Sequence, residues 1–401
     1  MAEQKTVWIM PGGRFQVPLI ECARGIGHRV VVSDRDLNCP GRALADEFVP
    51  LGVDARDALL ARARELLPDA VVTDQTDGAV RVVAWLCEKL RLPGVGFECA
   101  KGFTDKFQMR TALATAGFNM PAFARCESLS ECAESAGEIG WPVMIKPPAS
   151  QSSLGVNRVD EPSQLEAAFE QTASLGGGTV LVEEFLDGPE FTVEGCAGLG
   201  GHTSLCVSQK SHYVHRPMVA DALVYSPVHA EYDYAALCDL NDRVVGALGL
   251  PFGLTHAEYK WTGAEFELVE IAARGCGTWV TSHLVPALTG VDPYSFFLSA
   301  ALGGAPPVPR ANLGGFGALD FLHFPPGCVQ SIEGLEAAQA MPGVLKAGLN
   351  YDAGQMIPEP TNDTNRAGFS LIAADTRAEL DARRARVRET VRVDYEDIHA
   401  N

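Results

Sequence analysis

Apolar and polar residues alternate along the first hundred positions in a pattern that predicts strands and helices in turn. Short apolar runs are typical of buried strands, and amphipathic stretches are typical of helices packed on a sheet. The predicted strands are residues 6–10, 28–33 and 70–73, and the predicted helices are residues 15–24 and 79–90. Strands that alternate with helices form a parallel sheet, so we predict an open α/β domain at the start of the chain.

From residue 104 onward the pattern predicts a second domain. Thr104 is a good helix N-cap and Gly117 a good left-handed exit, which together predict a helix that ends near residue 116. Segments rich in β-branched residues then predict strands. These are residues 142–146, 179–185, 190–194, 255–260 and 265–271, with helices at 164–173 and 293–302. The last two strands form a predicted hairpin whose turn contains Thr262 and Gly263.

A group of prolines marks the end of this second domain. Pro306, Pro307 and Pro309 predict a boundary, after which strands mix with a charged C-terminal helix. Thr376 and Glu379 have the spacing of a capping box, which predicts where that helix begins. We therefore expect three units, at residues 1–103, 104–305 and 306–401.

Composition and charge favour a globular protein that handles small molecules. With 401 residues and 47% apolar positions, the chain can form two or three packed lobes. The formal net charge of -19 disfavours nucleic acid and anionic membranes as partners, because most of the exterior would repel a polyanion. The apolar run at residues 7–10 is too short for a secretory signal or a membrane span, which predicts a cytoplasmic protein.

The eleven cysteines predict reduced, buried thiols rather than disulfides or a zinc framework. They are scattered from Cys22 to Cys328 without a Cys-x-x-Cys pair. Among the histidines, His212 and His215 lie close together in sequence, and two residues are weak evidence for a structural metal.

Two glutamates of the predicted hairpin are candidates for a metal site. If the hairpin is symmetric about Ala264, Glu258 and Glu270 lie opposite each other with Cβ atoms about 5 Å apart, and His256 lies opposite Ala272. Two opposed carboxylates repel each other, and Mg²⁺ is a cation that one or two carboxylates commonly hold in phosphoryl-transfer sites. By itself, such a pair on a hairpin is more often solvated than bound to a metal.

Two further segments are suited to binding a nucleotide. Lys146 ends a predicted strand and precedes a loop of small residues, an arrangement that places a positive charge and backbone N–H groups near a phosphate. The predicted strand segment at 180–186 ends in two acidic residues and an aromatic residue that could enclose a flat base. Taken singly, these segments also fit an exposed loop with a surface lysine and an ordinary sheet edge.

The order of five segments resembles the ATP-grasp superfamily. The segments are Asp105-Lys106, Lys146 with its small-residue loop, residues 183–191, Glu258, and residues 270–277. The resemblance spans residues 104–305, and a stretch at residues 281–292 after Arg274 resembles the L-amino-acid ligase branch. It implies an α/β and α+β protein with a preATP-grasp parallel-sheet domain, a lid lobe at about 117–187, a central antiparallel sheet and a C-terminal lobe.

The resemblance also implies roles for individual residues with ATP and Mg²⁺ as cofactors. Those implied to contact the nucleotide are Lys106, Lys146, Ser152, Ser153, Gly155, Glu183, Glu184, Phe185, Leu186 and Glu190. Glu258 and Glu270 would ligate Mg²⁺, Arg274 would bind the γ-phosphate or an acyl phosphate, and Lys210 and His256 would face the substrate. The implied activity is that of a carboxylate-amine ligase acting on small molecules, and relatives are often homodimers.

Two positions depart from the pattern. Relatives usually have Asn two residues after the second metal-binding Glu, and this chain has Ala272, so one oxygen ligand is absent. Ser152 stands where relatives often have Gly, which reduces the freedom of the loop without removing N–H donors. The first departure leaves open an ATP-binding regulatory module that has lost catalysis.

Two other functions also fit parts of the sequence. Carboxylation or formylation of a small amine uses the same acyl phosphate chemistry. A dinucleotide-dependent oxidoreductase would rest on Gly12, Gly13 and Asp34, although the Gly-x-Gly-x-x-Gly spacing is missing. Close packing of the Gly12–Gly13 turn at a lobe interface explains the same residues without a ligand.

Overall fold

The N-terminal domain is built on a parallel sheet, as the alternating pattern predicts. The computed structural model describes residues 4–151, 153–309 and 314–396, and its first sheet has the strand order β3-β2-β1-β4. The strands are β1 (Thr6–Ile9), β2 (Arg29–Ser33), β3 (Glu47–Val49) and β4 (Ala70–Val72), and the helices are α1 (Val17–Gly25), α2 (Arg56–Leu66), α3 (Asp77–Leu90), α4 (Phe97–Gly102) and α5 (Lys106–Thr115). The pattern did not predict β3 and α2, because β3 has three residues and α2 is mostly charged or small.

The second sheet forms a small lobe inside the predicted lid range. Its strand order is β5-β8-β6-β7, and all of its pairs are antiparallel. The elements are β5 (Phe123–Cys126), α6 (Leu129–Ile139), β6 (Val143–Lys146), β7 (Asn157–Val159), α7 (Leu165–Leu175) and β8 (Val180–Glu184). The two helices cover one face of this sheet and share a buried apolar cluster with it.

An eight-stranded antiparallel sheet forms the centre of the molecule. Its order is β13-β12-β9-β10-β11-β14-β18-β16. The strands are β9 (Glu190–Gly198), β10 (Gly201–Tyr213), β11 (Arg216–Tyr225), β12 (Gly253–Trp261), β13 (Phe266–Ala272), β14 (Phe316–Leu322), β16 (Val344–Leu349) and β18 (Gly368–Ala374). The helices α8 (Tyr234–Leu248), α9 (Val285–Thr289) and α10 (Pro293–Ala301) accompany it, and a π-helix spans Val280–Leu284.

A three-stranded sheet and two helices complete the C-terminal part. They are β15 (Gly327–Glu333), β17 (Met356–Ile357), β19 (Arg392–Tyr395), α11 (Leu335–Gln339) and α12 (Arg377–Thr390). The capping prediction for α12 is confirmed, because the Thr376 side chain accepts a hydrogen bond from the Glu379 N–H at 3.2 Å. Strand β14 pairs with β11, so the central sheet continues past the proline group. The boundaries at 103/104 and 305/306 stay predictions.

The predicted cap of α5 is wrong by one residue. Asp105, rather than Thr104, is the N-cap, since its carboxylate accepts hydrogen bonds from the N–H groups of Phe107 and Gln108 at 3.1 Å. The Thr104 hydroxyl instead donates to the Ala100 carbonyl at 2.8 Å. Both residue types cap well, so the geometry of the preceding helix α4 decides between them. Gly117 has the expected left-handed conformation, with φ of 87°.

The N-terminal domain is held firmly against the central sheet. Leu19 and Ile20 of α1 belong to one buried cluster with Phe297 and Leu298 of α10. Burial of this interface fixes the carboxyl end of β4 beside the loop that follows β13. Within the described residues, none of the helices combines the length and apolar character that crossing a membrane requires.

Candidate functional site

The two hairpin glutamates lie opposite each other, as predicted. Glu258 of β12 pairs with Glu270 of β13, and His256 pairs with Ala272. The register shifts by one residue just after Glu258, which forms a bulge in the hairpin. The predicted symmetry about Ala264 therefore holds for the pairs from His256 to Glu258, whereas the turn itself is centred half a residue earlier. We call Glu258 and Glu270 the hairpin pair. Their side chains are 22% and 29% exposed.

Two lysines neutralise the hairpin pair. The Lys106 ammonium donates to Glu270 Oε1 and to the Ser150 carbonyl, both at 2.8 Å. The Lys210 ammonium donates to Glu258 Oε1 at 3.0 Å and to Glu190 Oε1 at 2.6 Å. Burial acts to raise the pKa of the Glu258 carboxyl, but Lys210 and the neighbouring His256 together outweigh it and hold this pKa well below its usual range. The residues implied for phosphates, ribose, metal and substrate therefore contact each other directly.

A second group of charges lies deeper, between the lid lobe and α5. Glu183 is 2% exposed and accepts from Arg110 Nε at 3.0 Å, while Lys146 Nζ lies 2.5 Å from its other oxygen. We call Glu183, Arg110 and Lys146 the Glu183 cluster. Burial acts to raise the pKa of the Glu183 carboxyl, and the Arg110 and Lys146 charges outweigh it and lower this pKa to about 2. Both oxygens of the Glu183 carboxylate are thus paired with cations, those of Arg110 and Lys146.

Arg110 was missed by the sequence reasoning. Its guanidinium also donates to the carbonyl oxygens of Leu268 and Val269, at 2.5 and 2.9 Å, where β13 bulges. Arg110 thereby ties α5 and the lid strand β8 to the hairpin. Its position one helical turn after Lys106, on the same face of α5, was a signal that could have found it.

A cavity of about 110 Å³ lies between the lid lobe and the central sheet. Its lining includes Lys106, Lys146, Ser153, Glu183, Glu184, Phe185, Leu186, Glu190, Lys210, Glu258 and Glu270. The Phe185 ring carries Arg158 at 4.2 Å and Lys260 at 5.3 Å from its centroid. Leu186 is buried, whereas Glu184 is exposed and accepts a hydrogen bond from the Ala122 N–H at 3.3 Å. The residues implied for adenine and phosphates share this cavity.

The small-residue loop connects the lid lobe to both other parts of the chain. The Gln151 side chain accepts a hydrogen bond from the Asp77 N–H at 2.9 Å, and the Ser153 hydroxyl donates to Asp363 at 3.4 Å. Ser153 and Gly155 have left-handed φ values of 57° and 72°. Ser152 lies outside the described residues. The loop therefore covers the junction between the cavity and the neighbouring domains.

A larger cavity of about 350 Å³ adjoins the first. Both cavities are lined by Ser153, Lys210, Glu258 and Glu270. Aromatic rings form one wall, since Trp279 stacks on Phe369 with centroids 4.8 Å apart and meets the edge of Phe15 at 4.9 Å. Trp279 itself has a left-handed φ of 59°, which residues other than glycine seldom adopt. It immediately precedes the π-helix, another uncommon conformation.

Arg274 projects into the larger cavity from the loop after β13, and its partner comes from the N-terminal domain. Arg274 Nε donates to Asp77 Oδ1 at 2.6 Å. Asp74, which is fully buried, accepts from the Gly275 N–H at 2.7 Å and from the Tyr294 hydroxyl at 2.6 Å. Asp74 and Asp77 were missed. Their place just after β4 was a usable signal, because ligand sites of parallel sheets lie at the carboxyl ends of strands.

His256 lies between two carboxylates at the inner end of the larger cavity. Its Nδ1 is 3.0 and 3.1 Å from the two oxygens of Glu194, and its Nε2 is 3.5 Å from Glu258 Oε1. Burial acts to lower the pKa of His256, and nearby groups including Cys276 and Glu194 outweigh it and raise this pKa well above its usual value. All eleven cysteines belong to the described residues and are free thiols; seven are buried, as predicted, and Cys22, Cys99, Cys238 and Cys328 are partly exposed.

The glycine turn of the N-terminal domain is used for packing. The Gly12 N–H donates to Asp34 Oδ2 at 2.9 Å. A Cβ at Gly12 would lie 2.6 Å from Val32 and 2.8 Å from Cys39, so the turn has no room for a side chain. Next to it, Arg14 donates to Asn350 of the C-terminal part at 2.9 Å. These contacts favour the packing interpretation of the turn over dinucleotide binding.

Two parts of the chain match families of known proteins. Residues 139–283 match the family model of the ATP-grasp domain, and residues 320–396 match that of the L-amino acid ligase C-terminal domain 2. An uncharacterized protein, y4rH of Sinorhizobium fredii, is 28% identical over 323 residues, which are 78% of this chain and 65% of that protein. A D-alanine–D-alanine ligase of Pseudomonas putida is 28% identical over 245 residues, or 59% of this chain and 68% of the ligase.

A solved structure has the same fold along almost the whole chain. The L-amino acid ligase from Bacillus licheniformis superposes with a TM-score of 0.83 at 22% identity, over 98% of this chain and 99% of that one. The α/β start, the lid lobe, the central antiparallel sheet and the C-terminal lobe therefore form an ATP-grasp fold, in which residues 139–283 belong to the ATP-grasp domain family and residues 320–396 to the L-amino acid ligase C-terminal domain 2 family.

Proposed function

We propose that the protein is an ATP-dependent carboxylate-amine ligase that joins the carboxyl group of an amino acid or another small acid to the amino group of an amino acid. The products would be an amide or dipeptide, ADP and phosphate. The observation that carries the proposal is the pair of adjoining cavities that share Lys210 and the hairpin pair. A nucleotide in one cavity and an acid in the other would meet at those side chains.

The residues present fit Mg·ATP. The hairpin pair offers hard carboxylate oxygens that face a cavity, and oxygen donors are the ligands Mg²⁺ prefers. Lys106 and Lys146, which are 6% and 5% exposed, line the same cavity as point charges for phosphates. Ala272 offers no oxygen, and Mg²⁺ commonly retains several waters, so the set of two carboxylates is sufficient. When bound, Mg²⁺ would neutralise part of the negative charge of the phosphates.

The chemistry requires the acid to be activated before the amine attacks. A carboxylate oxygen of the acid attacks the γ-phosphorus of ATP, the bond to the β-phosphate oxygen breaks, and ADP leaves. The amino acid's ammonium group loses one proton to solvent, and the resulting amine attacks the acyl carbon. The amide then forms as phosphate leaves and takes the second proton. In such transfers a protein contributes positioning and charge neutralisation.

The charged side chains divide these tasks between them. Lys106 and Lys146 would hold the nucleotide phosphates. Arg274, whose guanidinium is anchored by Asp77, would hold the transferred phosphoryl group and the acyl phosphate, because a bidentate anchor fixes its plane. Lys210 lies where both cavities meet and would contact the acid or the transferred group. Phe185 and Leu186 would enclose the adenine, with Glu190 near the ribose.

The lid lobe has to move for this reaction. The nucleotide cavity of about 110 Å³ is smaller than the roughly 300–1,000 Å³ of common ligand sites. Arg158 and Lys260 lie over Phe185 where a base would stack. Outward motion of the lid would admit ATP, and its return would exclude water from the acyl phosphate, which hydrolysis would otherwise destroy.

The proposal is tested by turnover with defined substrates. Purified full-length protein is incubated with ATP, Mg²⁺ and pairs of amino acids, and ADP and amide are followed by a coupled assay and mass spectrometry. We expect ADP release to depend on both the acid and the amine. Release that depends instead on bicarbonate or formate would replace the proposal with carboxylation or formylation. Nucleotide binding without ADP release for every pair would replace it with a regulatory module.

The homodimer, which the family resemblance implies, stays a prediction, and so does the cytoplasmic location, which the short apolar run at residues 7–10 predicts. Sedimentation velocity of the purified protein at micromolar concentration checks the oligomeric state. We expect a species of twice the 42.8 kDa chain mass. A single 42.8 kDa species across the concentration range would contradict it.

A further inference from the structure

Three side chains with different donor atoms converge beneath the larger cavity. Glu194 lies on β9, His256 on the neighbouring strand β12, and Cys276 in the loop after β13. One ligand atom from each lies within 4.8 Å of the others. Glu194 and Cys276 are 3% and 5% exposed. We call these residues the thiol cluster, and no step of the proposed ligase reaction uses its carboxylate or its thiol.

The donor set identifies the class of ion that would bind. A thiolate, an imidazole and a carboxylate together are typical ligands of zinc, whereas Mg²⁺ avoids sulfur and prefers oxygen. We propose that the thiol cluster binds one Zn²⁺ ion, separately from the hairpin pair. Three protein ligands would leave the fourth tetrahedral position for a water molecule or a small ligand.

The spacing of the donors suits a tetrahedral zinc ion. With the usual bond lengths, zinc ligands lie about 3.4–3.6 Å from one another. His256 Nδ1 is 3.0 and 3.1 Å from the two Glu194 oxygens, so these donors separate by a few tenths of an ångström when zinc enters. The Cys276 sulfur lies at most 4.8 Å from the other two donor atoms, so it would have to approach them by no more than about 1 Å.

Neighbouring hydroxyls already orient the carboxylate. Glu194 Oε1 accepts hydrogen bonds from the Tyr225 hydroxyl at 2.9 Å and from the Thr192 hydroxyl at 3.2 Å. The Oε2 atom is 3.1 Å from His256 Nδ1. Binding of zinc by Oε2 and the imidazole would leave both hydroxyl contacts intact. Hydrogen bonds of this kind hold the ligating side chains of a metal site in place and raise the affinity of the site for the metal ion.

The cluster also has an entry path. His256 and Cys276 both line the cavity of about 350 Å³, as does Ala272, which faces His256 across the hairpin. The methyl group of Ala272 leaves room beside the imidazole, where a longer side chain would approach it. A metal ion can therefore reach the thiol cluster through the substrate cavity, and its fourth ligand would face that cavity.

Binding displaces protons. The Cys276 thiol gives its proton to solvent as sulfur bonds to zinc, and the imidazole binds in its neutral form through Nδ1, so any proton on that nitrogen is also released. The carboxylate binds as the anion. No oxidant or reductant takes part.

The first experiment measures zinc binding by the full-length protein without nucleotide. The protein competes with a chromogenic chelator for zinc, and the Cys276→Ser and Cys238→Ser variants are compared. Cys238 is a partly buried thiol on α8, outside the cluster, and is the control. We expect one tight zinc per wild-type or Cys238→Ser chain and at least a tenfold loss of affinity in Cys276→Ser. Equal affinity in all three proteins would overturn the proposal.

A second measurement does not depend on the variant's folding. Co²⁺ added to wild-type protein gives a near-ultraviolet thiolate-to-cobalt charge-transfer band when a cysteine is a ligand. We expect this band with Co²⁺, its loss on adding one equivalent of Zn²⁺, and no effect of millimolar Mg²⁺. Cobalt that binds without the band would contradict the proposal. Neither experiment uses ATP or amino acids, so the failure of the ligase proposal would leave these results interpretable.

Discussion

The Glu183 cluster and the hairpin pair are both built from carboxylates and cations, but the ratio of the two charges is opposite. In the Glu183 cluster one carboxylate holds two cations, Arg110 and Lys146, and all three side chains are nearly inaccessible to solvent. The hairpin pair and Glu190 place three carboxylates against two ammonium groups, those of Lys106 and Lys210, at the border of two cavities. The first cluster has an excess of positive charge and the second an excess of negative charge.

This difference indicates what each cluster would bind. A site with an uncompensated cation stabilises an anion such as a phosphate, and a site with an uncompensated carboxylate stabilises a cation such as Mg²⁺. His256 does not change the balance, because its charge is matched by Glu194. The Glu183 cluster supplies rigidity and a buried positive charge, while the hairpin pair supplies exposed oxygens.

The largest expected effect is on stability, from Glu183→Gln. This change leaves Arg110 and Lys146 buried without a counter-charge, and breaking a buried ion pair costs about 3–5 kcal/mol. We expect the thermal midpoint to fall by several degrees, measured by calorimetry or circular dichroism. The exposed neighbour Glu184 is the control, and Glu184→Gln should change the midpoint little. Equal effects of the two variants would show that the Glu183 cluster is not structural.

The same cluster should make stability depend on acid. The pKa of Glu183 is lowered from 4.5 to about 2, so its contribution is fully present above pH 4.5 and is lost as the pH falls toward 2. The shift corresponds to about 3 kcal/mol. The difference in unfolding free energy between wild type and Glu183→Gln should be constant near neutral pH and narrow below pH 4.5. A difference that stays constant down to pH 3 would refute this assignment.

The hairpin pair should affect turnover more than folding. Glu270→Gln removes one proposed Mg²⁺ ligand, while Lys106 keeps its hydrogen bond to the Ser150 carbonyl. Loss of an outer-shell metal partner costs about 10–100-fold, so loss of a direct ligand should lower turnover more than about 100-fold. Glu267→Gln, on the same strand, is the control. A Glu270→Gln enzyme with full activity would remove Glu270 from the metal site.

The excess positive charge of the Glu183 cluster should affect nucleotide affinity. Lys146→Met leaves Glu183 paired with Arg110, so we expect a smaller loss of stability than in Glu183→Gln. A hydrogen bond to a charged group contributes about 1.5–3 kcal/mol, which predicts roughly tenfold to hundredfold weaker ATP binding by isothermal titration calorimetry. The exposed Lys89 gives the matched control, Lys89→Met. Unchanged ATP affinity would mean that Lys146 serves the fold alone.

The smallest effect is expected at the position that departs from the family pattern. Ala272→Asn would return an oxygen next to the hairpin pair, and one such contact is worth about 0.5–1.5 kcal/mol. We expect the Mg²⁺ concentration for half-maximal turnover to fall by about twofold to tenfold. Ala273→Asn, one residue further along, is the control. A rise in the required Mg²⁺ would mean that the Asn side chain clashes with His256, which faces Ala272.

Much of the fold could be predicted from local patterns. Strands β1, β2 and β4, helices α1 and α3, the lid strands β6 and β8 and the hairpin follow from apolar periodicity and turn residues. The opposition of Glu258 and Glu270 follows from the period of a strand. The pattern failed where the local signal was weak. It missed β3 and α2, and it chose Thr104 over Asp105 as the cap of α5. It also left without a prediction the lid elements β5, α6 and β7 and the central elements β10, β11 and α8.

The sequence by itself determined the order of the elements, the face on which the two glutamates lie, and the charged residues that a nucleotide site would need. Only the tertiary structure decided how those charges are paired. Arg110 meets Glu183, Asp77 meets Arg274, and Cys276 meets His256, although the first two pairs are 73 and 197 residues apart in the chain. Local periodicity carries no information about such pairs, because the contacts form only when separate sheets and helices bury their apolar faces against one another.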